Sequence, residues 1–291
     1  MPEAPVVAEM APYAALLLGL VVGSFLNVLI LRLPRRMHAE LAEACAELRG
    51  EETKALPNRW FGLDYLISPA SSCPHCGHQI RAWENIPVLS YLLLRGRCSN
   101  CQSTISIRYP LVEAVTGLLS ALVVFHFGPN ATALAALILV WGLVTLTVID
   151  LDEQLLPDQL TLPLVWLGLL LNIDVMFTDL VSAVIGAAAG YLSLWLVFQV
   201  FRLLTGREGM GYGDFKLLAV FGAFLGWQIL PLVVLLSSLI GAIVGVTLVV
   251  VRGRDRQIPI PFGPYLAAAG FVALLWGEEI NRSYLQLAGL S

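Results

Sequence analysis

Residues 209–216 have the sequence Gly-Met-Gly-Tyr-Gly-Asp-Phe-Lys and separate two apolar stretches of the chain. This polar break places the carboxylate of Asp214 at the edge of a predicted membrane segment, beside glycines that let backbone approach closely. A second carboxylate, Asp150, ends another apolar stretch. If these two helix ends share one side of the membrane, the chain carries a pair of aspartates at the lipid–water boundary.

The composition predicts an integral membrane protein. The chain has 291 residues, of which 58% are hydrophobic and 13% charged, whereas soluble domains carry about 25% charged residues. Its mean hydropathy is +0.79. With a net charge of −4 and only two lysines, Lys54 and Lys216, it offers no basic face for nucleic acid. The first ten residues lack Lys and Arg, which favours a retained first helix over the alternative, a cleaved signal peptide.

Eight apolar stretches are candidates for membrane-spanning helices, which need about 20 mostly apolar residues. We predict an all-α polytopic membrane protein with about eight transmembrane helices and one polar domain between the first two. The predicted division is 1–33 for the N-terminus and first helix, 34–109 for the polar domain, and 110–291 for a membrane domain of about seven helices. The candidate spans are 11–33, 110–128, 131–150, 160–177, 179–203, 215–230, 231–251 and 261–277.

Charge placement predicts the orientation of these helices. Of 17 Lys and Arg residues, 16 fall in the ranges 32–108, 202–216 and 252–256, which lie on one side if the chain crosses the membrane eight times. Basic loops stay in the cytoplasm. We therefore predict that the polar domain, Asp150 and Asp214 share the cytoplasmic face and that the N-terminus is periplasmic.

The polar domain contains two Cys-x-x-Cys pairs, Cys73 with Cys76 and Cys98 with Cys101, separated by 21 residues. Two such pairs are typical of a four-cysteine zinc site, and the reducing cytoplasm argues against disulfides. Four thiolates leave no position for a catalytic water, so we predict structural zinc that stabilises a small cytoplasmic domain.

Other residues near the cysteines have simpler interpretations. Gly77 and Asn100 occupy positions where tight metal-binding turns favour small residues or residues that tolerate a left-handed backbone. The side chains of His75 and His78 are alternative metal ligands, which we interpret as bystanders. Cys45 stands apart from both pairs and is predicted to be an ordinary thiol.

Residue type alone leaves two interpretations of Asp150 and Asp214, solvated helix-end acids or a catalytic pair. The glycine-rich approach to Asp214 and the shared cytoplasmic face favour catalysis, as does the turn at 157–158 that returns the chain to the membrane. An aspartic peptidase needs one ionised carboxylate to activate water and one protonated carboxyl to polarise the scissile carbonyl. Helix dipoles suggest Asp214, at a helix N-terminus, as the ionised partner. Asp158 is predicted to cap the following helix.

Several motifs in order along the chain resemble those of the bacterial type IV prepilin peptidases. The sequence GSFLNVLILRLP at 23–34 is similar to the first-helix signature of that family. The family's cytoplasmic domain and its second helix are matched by CPHC at 73–76, NIPVLS at 85–90, RGRC at 95–98 and YPLVE at 109–113. The aspartate segments match at Asp150 and at GYGD, residues 211–214.

The resemblance implies a bifunctional enzyme of the inner membrane. Such an enzyme cleaves prepilins and pseudopilins on the cytoplasmic side, after a glycine and commonly before a phenylalanine. It then methylates the new amino terminus with S-adenosylmethionine. Asp150 and Asp214 match the catalytic aspartates of the family. No Gly-x-Gly-x-x-Gly turn follows a predicted strand, so the residues identify no methyl-donor site, although the cytoplasmic domain is the natural candidate.

Two other classes of function remain as alternatives. A transporter would place acids near the bilayer midplane between inverted repeats, whereas these acids are predicted at the cytoplasmic boundary and no internal repeat is apparent. A zinc-stapled membrane scaffold would explain the cysteines but leaves the glycine-rich break before Asp214 without a role.

Overall fold

The computed structural model of the chain describes residues 4–50, 66, 68–207, 209–252 and 261–287. These residues form nine α-helices, three short 3₁₀ turns and no β-strand beyond two isolated bridges. The α-helices are α1 (Ala4–Leu48), α2 (Leu89–Leu93), α3 (Arg108–Phe127), α4 (Ala131–Glu153), α5 (Asp158–Leu171), α6 (Leu180–Thr205), α7 (Tyr212–Leu225), α8 (Leu230–Arg252) and α9 (Gly263–Leu287).

A helix occupies each of the eight predicted spans, which confirms the all-α polytopic fold. Five of the described helical segments are long and apolar enough to cross a membrane: Glu9–Leu48, Arg108–Phe127, Ala131–Glu153, Leu180–Thr205 and Trp227–Thr247. Helices α5 and α7 have only 14 residues each, about 21 Å of helix against a hydrocarbon core of about 30 Å. Their shortness places the ends of α5 and α7 within reach of polar loops.

Two compact units divide the chain, residues 1–129 and 130–291. In the first, α1 packs along α3 through small residues. A Cβ atom added to Gly19 would lie 2.5 Å from Ser120 Oγ, and one added to Gly23 would lie 2.7 Å from the Glu113 Cα atom. Small residues let helix backbones approach closely in a membrane, so Gly19 and Gly23, the first residue of the 23–34 signature, lie on the packing face of this unit.

Helix α1 extends beyond the predicted span, through Pro34 to Leu48. The first residues of the predicted polar domain are therefore helical. Arg32 ties this helix to the following segment, because its guanidinium donates to the carbonyl oxygens of Leu66 at 3.1 Å and Pro69 at 2.6 Å. The predicted domain boundaries at 33/34 and 109/110 stay predictions.

Helix α7 forms the core of the second unit, and its residues 217–224 are all buried. Gly186 of α6 lies directly against Gly222 of α7, and a Cβ on Gly190 would come within 2.7 Å of the Leu218 carbonyl oxygen. The small residues at 186–190 therefore form a packing face of α6 against α7. The buried Asn172 side chain satisfies the end of α7 by donating to the carbonyls of Ala223 and Phe224 at 2.8 and 2.9 Å.

Candidate active site and metal centre

Asp150 lies in the last turn of α4 and is only 5% exposed. Its Oδ2 atom accepts a hydrogen bond of 3.0 Å from the backbone N–H of Gly263, the first residue of α9. A Cβ atom at position 263 would stand 2.6 Å from the same oxygen. Glycine is therefore required for the amide to approach the carboxylate. Gly263 was not predicted from the sequence, although a glycine between two prolines at the start of an apolar stretch was a visible signal.

Asp214 is the third residue of α7 and is 6% exposed. Its carboxylate faces the backbone amide of Gly211 and lies close enough to Asp150 for direct electrostatic repulsion between the two carboxylates. The structure thus brings together two buried acids that are 64 residues apart in the sequence. If Asp150 and Asp214 were only solvated acids at helix ends, they would be exposed and would not repel each other.

Leu156, in the loop that follows α4, packs against the first residues of α7 and α9. A Cβ on Gly213 would lie 2.6 Å from the Leu156 Cβ atom, and a Cβ on Gly263 would lie 3.3 Å from Leu156 Cδ2. Both distances are shorter than ordinary van der Waals contact. Leu156 therefore sets how closely α7 and α9 approach the end of α4.

The three glycines before Asp214 have different surroundings. A Cβ on Gly209 would meet the ring of Phe201 at 2.8 Å, and one on Gly213 would meet Leu156. Gly211 is exposed, and the nearest atom to a Cβ added there would be Asp214 Oδ2, at 3.8 Å. Gly209 and Gly213 are thus required by packing, whereas Gly211 leaves open space beside a carboxylate.

Asp158 has a different role from the predicted helix cap. Helix α5 begins at Asp158 and its N-cap is Pro157, so the prediction was wrong. The Asp158 carboxylate instead accepts a hydrogen bond from Lys216 Nζ at 2.5 Å. The pair joins the start of α5 to the first turns of α7, two residues beyond Asp214. Exposed ion pairs contribute about 0–1 kcal/mol to the free energy of unfolding. This pair therefore aligns α5 with α7 more than it stabilises the protein.

The four predicted metal ligands form one cluster. The Sγ atoms of Cys73, Cys76, Cys98 and Cys101 all lie within 4.8 Å of one another. Cys73 Sγ and Cys101 Sγ are 3.8 Å apart, which is the edge of a tetrahedron whose metal–sulfur bonds are about 2.3 Å long. No cysteine forms a disulfide. The cluster could therefore hold a metal ion with tetrahedral thiolate geometry.

Two turns of the same geometry, 25 residues apart, build this cluster. In each, the first cysteine amide donates to the carbonyl five residues later, from Cys73 to His78 and from Cys98 to Ser103, both at 2.9 Å. The left-handed residues are Gly77 (φ 71°) and Gln102 (φ 59°). The expectation for Asn100 was therefore wrong, because the left-handed position falls after the second cysteine of each pair.

Backbone hydrogen bonds make one thiol acidic. The amides of His75 and Cys76 are the main groups that lower the pKa of Cys73 to about 6, so this residue is a thiolate at neutral pH, the form that binds metals. His78 lies outside the cluster, since its Nε2 atom is 3.3 Å from Glu84 Oε2 and 3.4 Å from Ser99 Oγ. Its interpretation as a bystander agrees with these contacts.

Removal of one thiolate is expected to release the metal. Serine at Cys98 should lower bound metal from about one ion per chain to near zero, because four-coordinate structural sites need all four ligands. It should also lower the unfolding temperature, since metal-binding free energy is folding free energy in such sites. Metal analysis and thermal unfolding of the full-length protein in detergent measure both effects. Cys45→Ser is the matched control, and a Cys98→Ser protein with full stability and no metal dependence would contradict the metal site.

Comparison with known proteins agrees with this geometry. Residues 17–127 match the family model of the bacterial peptidase A24 N-terminal domain, and residues 137–246 match that of the type IV leader peptidase family. No solved structure gives a significant match.

Relatives named prepilin leader peptidase/N-methyltransferase align with almost the whole chain. The Pseudomonas aeruginosa protein is 56% identical over 94% of this chain and 93% of its own length. Those of Stutzerimonas stutzeri and Aeromonas hydrophila are each 55% identical, over 95% and 92% of this chain and 94% and 92% of their own lengths. The chain therefore belongs to the type IV leader peptidase family.

Proposed function

We propose that this chain is a membrane aspartic endopeptidase that removes the leader peptide of type IV prepilins and pseudopilins, and that it then N-methylates the new amino terminus. The observation that carries the proposal is the pair of buried, electrostatically coupled carboxylates of Asp150 and Asp214. Relatives that share more than half of its residues carry the name of both activities.

Asp150 and Asp214 are the proposed catalytic residues. One carboxylate takes a proton from a water molecule, which attacks the scissile carbonyl carbon. The other, protonated, donates a hydrogen bond to the carbonyl oxygen and then a proton to the leaving amine. Because like charges at close range oppose double ionisation, a coupled pair naturally holds one proton between its two members.

The contact with Gly263 changes the proposed division of roles. The helix dipole, which suggested Asp214 as the ionised partner, is worth about 0.3–1 kcal/mol. A hydrogen bond to a charged group is worth about 1.5–3 kcal/mol. Asp150 accepts such a bond from the Gly263 amide, whereas the contact of Asp214 with the Gly211 amide is opposed by the repulsion of Asp150. We therefore assign the ionised state in the resting pair to Asp150 and the proton to Asp214.

The proposed substrates and location follow from the resemblance of the motifs. The peptide bond cleaved lies after a glycine and commonly before a phenylalanine, on the cytoplasmic side of the inner membrane. The concentration of Lys and Arg on one predicted face supports this orientation, with a periplasmic N-terminus. Open space beside Gly211 is where the extended substrate backbone would approach the carboxylates.

Two further groups complete the proposal. Zinc is the proposed metal of the four-cysteine cluster, since tetrahedral thiolate sites of this spacing favour it. With four protein ligands it would hold the two turns together and supply no reactive position. S-adenosylmethionine is the proposed methyl donor, in keeping with the N-methyltransferase name of the relatives.

Incubation of the purified full-length protein with a synthetic prepilin tests both activities at once. Loss of the leader mass alone is expected without S-adenosylmethionine, and a further gain of about 14 Da, one CH₂ group, is expected with it. Cleavage without this gain in mass would contradict the proposed methyltransferase activity alone. An unchanged prepilin under both conditions would contradict the peptidase and favour the scaffold or transporter alternatives.

A further inference from the structure

A third buried carboxylate, that of Glu113 on α3, lies at the meeting point of three sequence motifs in the first unit. Glu113 is 7% exposed. Its Oε2 atom accepts a hydrogen bond of 2.7 Å from the backbone N–H of Val88, and its carboxylate also contacts the Ser24 hydroxyl. Helix α1, the loop before α2, and α3 thus each contribute one group to the same place.

Further polar groups surround the Glu113 carboxylate. The Ser24 hydroxyl also reaches Asn85 Oδ1 at 3.4 Å. One turn along α1, buried Asn27 donates from Nδ2 to the Tyr109 carbonyl at 3.1 Å. Polar groups from α1, from α3 and from the loop before α2 converge here, which apolar helix packing alone does not require.

No charged partner accounts for the burial of Glu113. Among the residues that the structure describes, its recorded partners are the Val88 amide and the Ser24 hydroxyl, and no Lys, Arg or His contacts it. Buried carboxylates are costly unless they are paired with a cation or fully hydrogen-bonded. The site therefore has the chemistry to receive a cationic or proton-donating group from outside the chain.

The loop that bounds the site is held in an unusual conformation. Val88 has φ 58° and ψ −46°, a region that β-branched residues rarely occupy. Such backbone persists only where surrounding structure fixes it, and it concentrates at binding and catalytic sites. The same loop contacts the turn that carries Cys73, because Glu84 lies against His78, whose carbonyl accepts the Cys73 amide hydrogen bond at 2.9 Å.

The position of the site matches an apolar polypeptide end better than a freely soluble ligand. Glu113 lies five residues after Arg108, the start of α3, about 7.5 Å along the helix axis. It therefore sits just inside the polar end of a spanning segment. Asn85 and Tyr109 border it and are exposed, as are three large apolar side chains of the neighbouring loop and helix: Trp83, Ile86 and Leu89.

We propose that Glu113 binds the newly formed N-terminal amine of the cleaved pilin and accepts its proton during methyl transfer. In this reaction the amine lone pair forms a bond to the methyl carbon of a sulfonium donor. The carbon–sulfur bond breaks with its electron pair on sulfur, which leaves as a neutral thioether. The Glu113 carboxylate takes one proton from the incoming N-terminal ammonium, which frees this lone pair, and the methylated product leaves as a secondary ammonium ion. This inference rests on the proposed N-methyltransferase function.

Glu113→Gln in the full-length protein tests the proposal, because glutamine keeps an oxygen that can accept the Val88 hydrogen bond and removes only the base. Methylation of a pre-cleaved pilin peptide is expected to fall by about a hundredfold or more. Cleavage of intact prepilin is expected to stay within about threefold of the unmodified protein. Glu47→Gln, an exposed acid on α1, is the matched control and should change neither rate.

The two measurements separate this inference from the proposed function. Methylation by Glu113→Gln at the normal rate would overturn the inference and leave the N-methyltransferase intact. An unmodified protein that cleaves but never methylates would instead remove the function on which the inference rests.

A zero-length coupling experiment on the unmodified protein keeps the proposal falsifiable if Glu113→Gln fails to fold. An apolar carbodiimide joins a carboxylate to an amine in direct contact with it. With the pre-cleaved pilin peptide, an amide between its N-terminus and Glu113 is expected, and the N-acetylated peptide should give none. Coupling to other carboxylates with none at Glu113 would overturn the proposal.

Discussion

Asparagine at Asp150 or at Asp214 is expected to lower prepilin cleavage by about a thousandfold or more, because each variant removes one of the two proton-transferring groups. Asparagine has the same shape as aspartate, and both positions lie at helix ends, so the protein should still insert and fold. Cleavage is measured under single-turnover conditions with the purified full-length protein and a synthetic prepilin.

The matched control for these variants is Asp152→Asn. Asp152 is an exposed acid two residues after Asp150 on the same helix end, and we place it outside the catalytic pair. Its variant should cleave at nearly the normal rate. Cleavage by Asp150→Asn or Asp214→Asn within about tenfold of normal would contradict the catalytic pair.

Replacement of Gly213 by alanine is expected to lower both the stability of the protein and its rate of prepilin cleavage. The added Cβ would stand 2.6 Å from the Leu156 Cβ atom, so α7 must shift away from the loop that follows Asp150. Overpacking of this kind costs about 1–3 kcal/mol, and a displacement of about 1 Å at a reacting group can cost about a hundredfold in rate. Thermal unfolding and cleavage rate should therefore both fall.

Gly211→Ala is the control for Gly213→Ala, because it adds the same methyl group two residues earlier in open space. Its backbone has φ −80°, which any residue can adopt. The unfolding temperature of Gly211→Ala should stay the same, and this variant controls for stability alone because the proposed substrate path runs beside Gly211. A normal unfolding temperature and normal cleavage for Gly213→Ala would show that the close packing against Leu156 does not set the geometry of the acids.

The helices and the metal cluster were predictable from sequence for local reasons. Apolar stretches of about 20 residues specify spanning helices, and two Cys-x-x-Cys pairs specify a shared metal site through their spacing. That Asp150 and Asp214 share one face of the membrane was predicted from the placement of basic residues and the direction of the helices, whereas the distance between the two acids was not. These properties depend on residue type and order, which a single sequence contains.

Contacts between segments that are distant in sequence account for the features that the sequence did not predict. The Gly263 amide reaches Asp150 only because α9 begins against the end of α4, and no local pattern encodes that meeting. Asp158 has the residue type of a helix cap, yet Lys216, which lies on another helix, takes its carboxylate. The role of Glu113 likewise depends on α1 and on the loop that contains Val88.

The central claim is that Asp150 and Asp214 act as one catalytic unit, and comparison of the double variant with the two single variants tests it most directly. Residues that act as a unit give strongly non-additive losses. Single-turnover cleavage by Asp150→Asn, Asp214→Asn and the double variant should therefore show the same residual rate, within about threefold. A double variant whose loss equals the product of the two single losses would contradict the paired mechanism, since it would show two carboxylates that act independently.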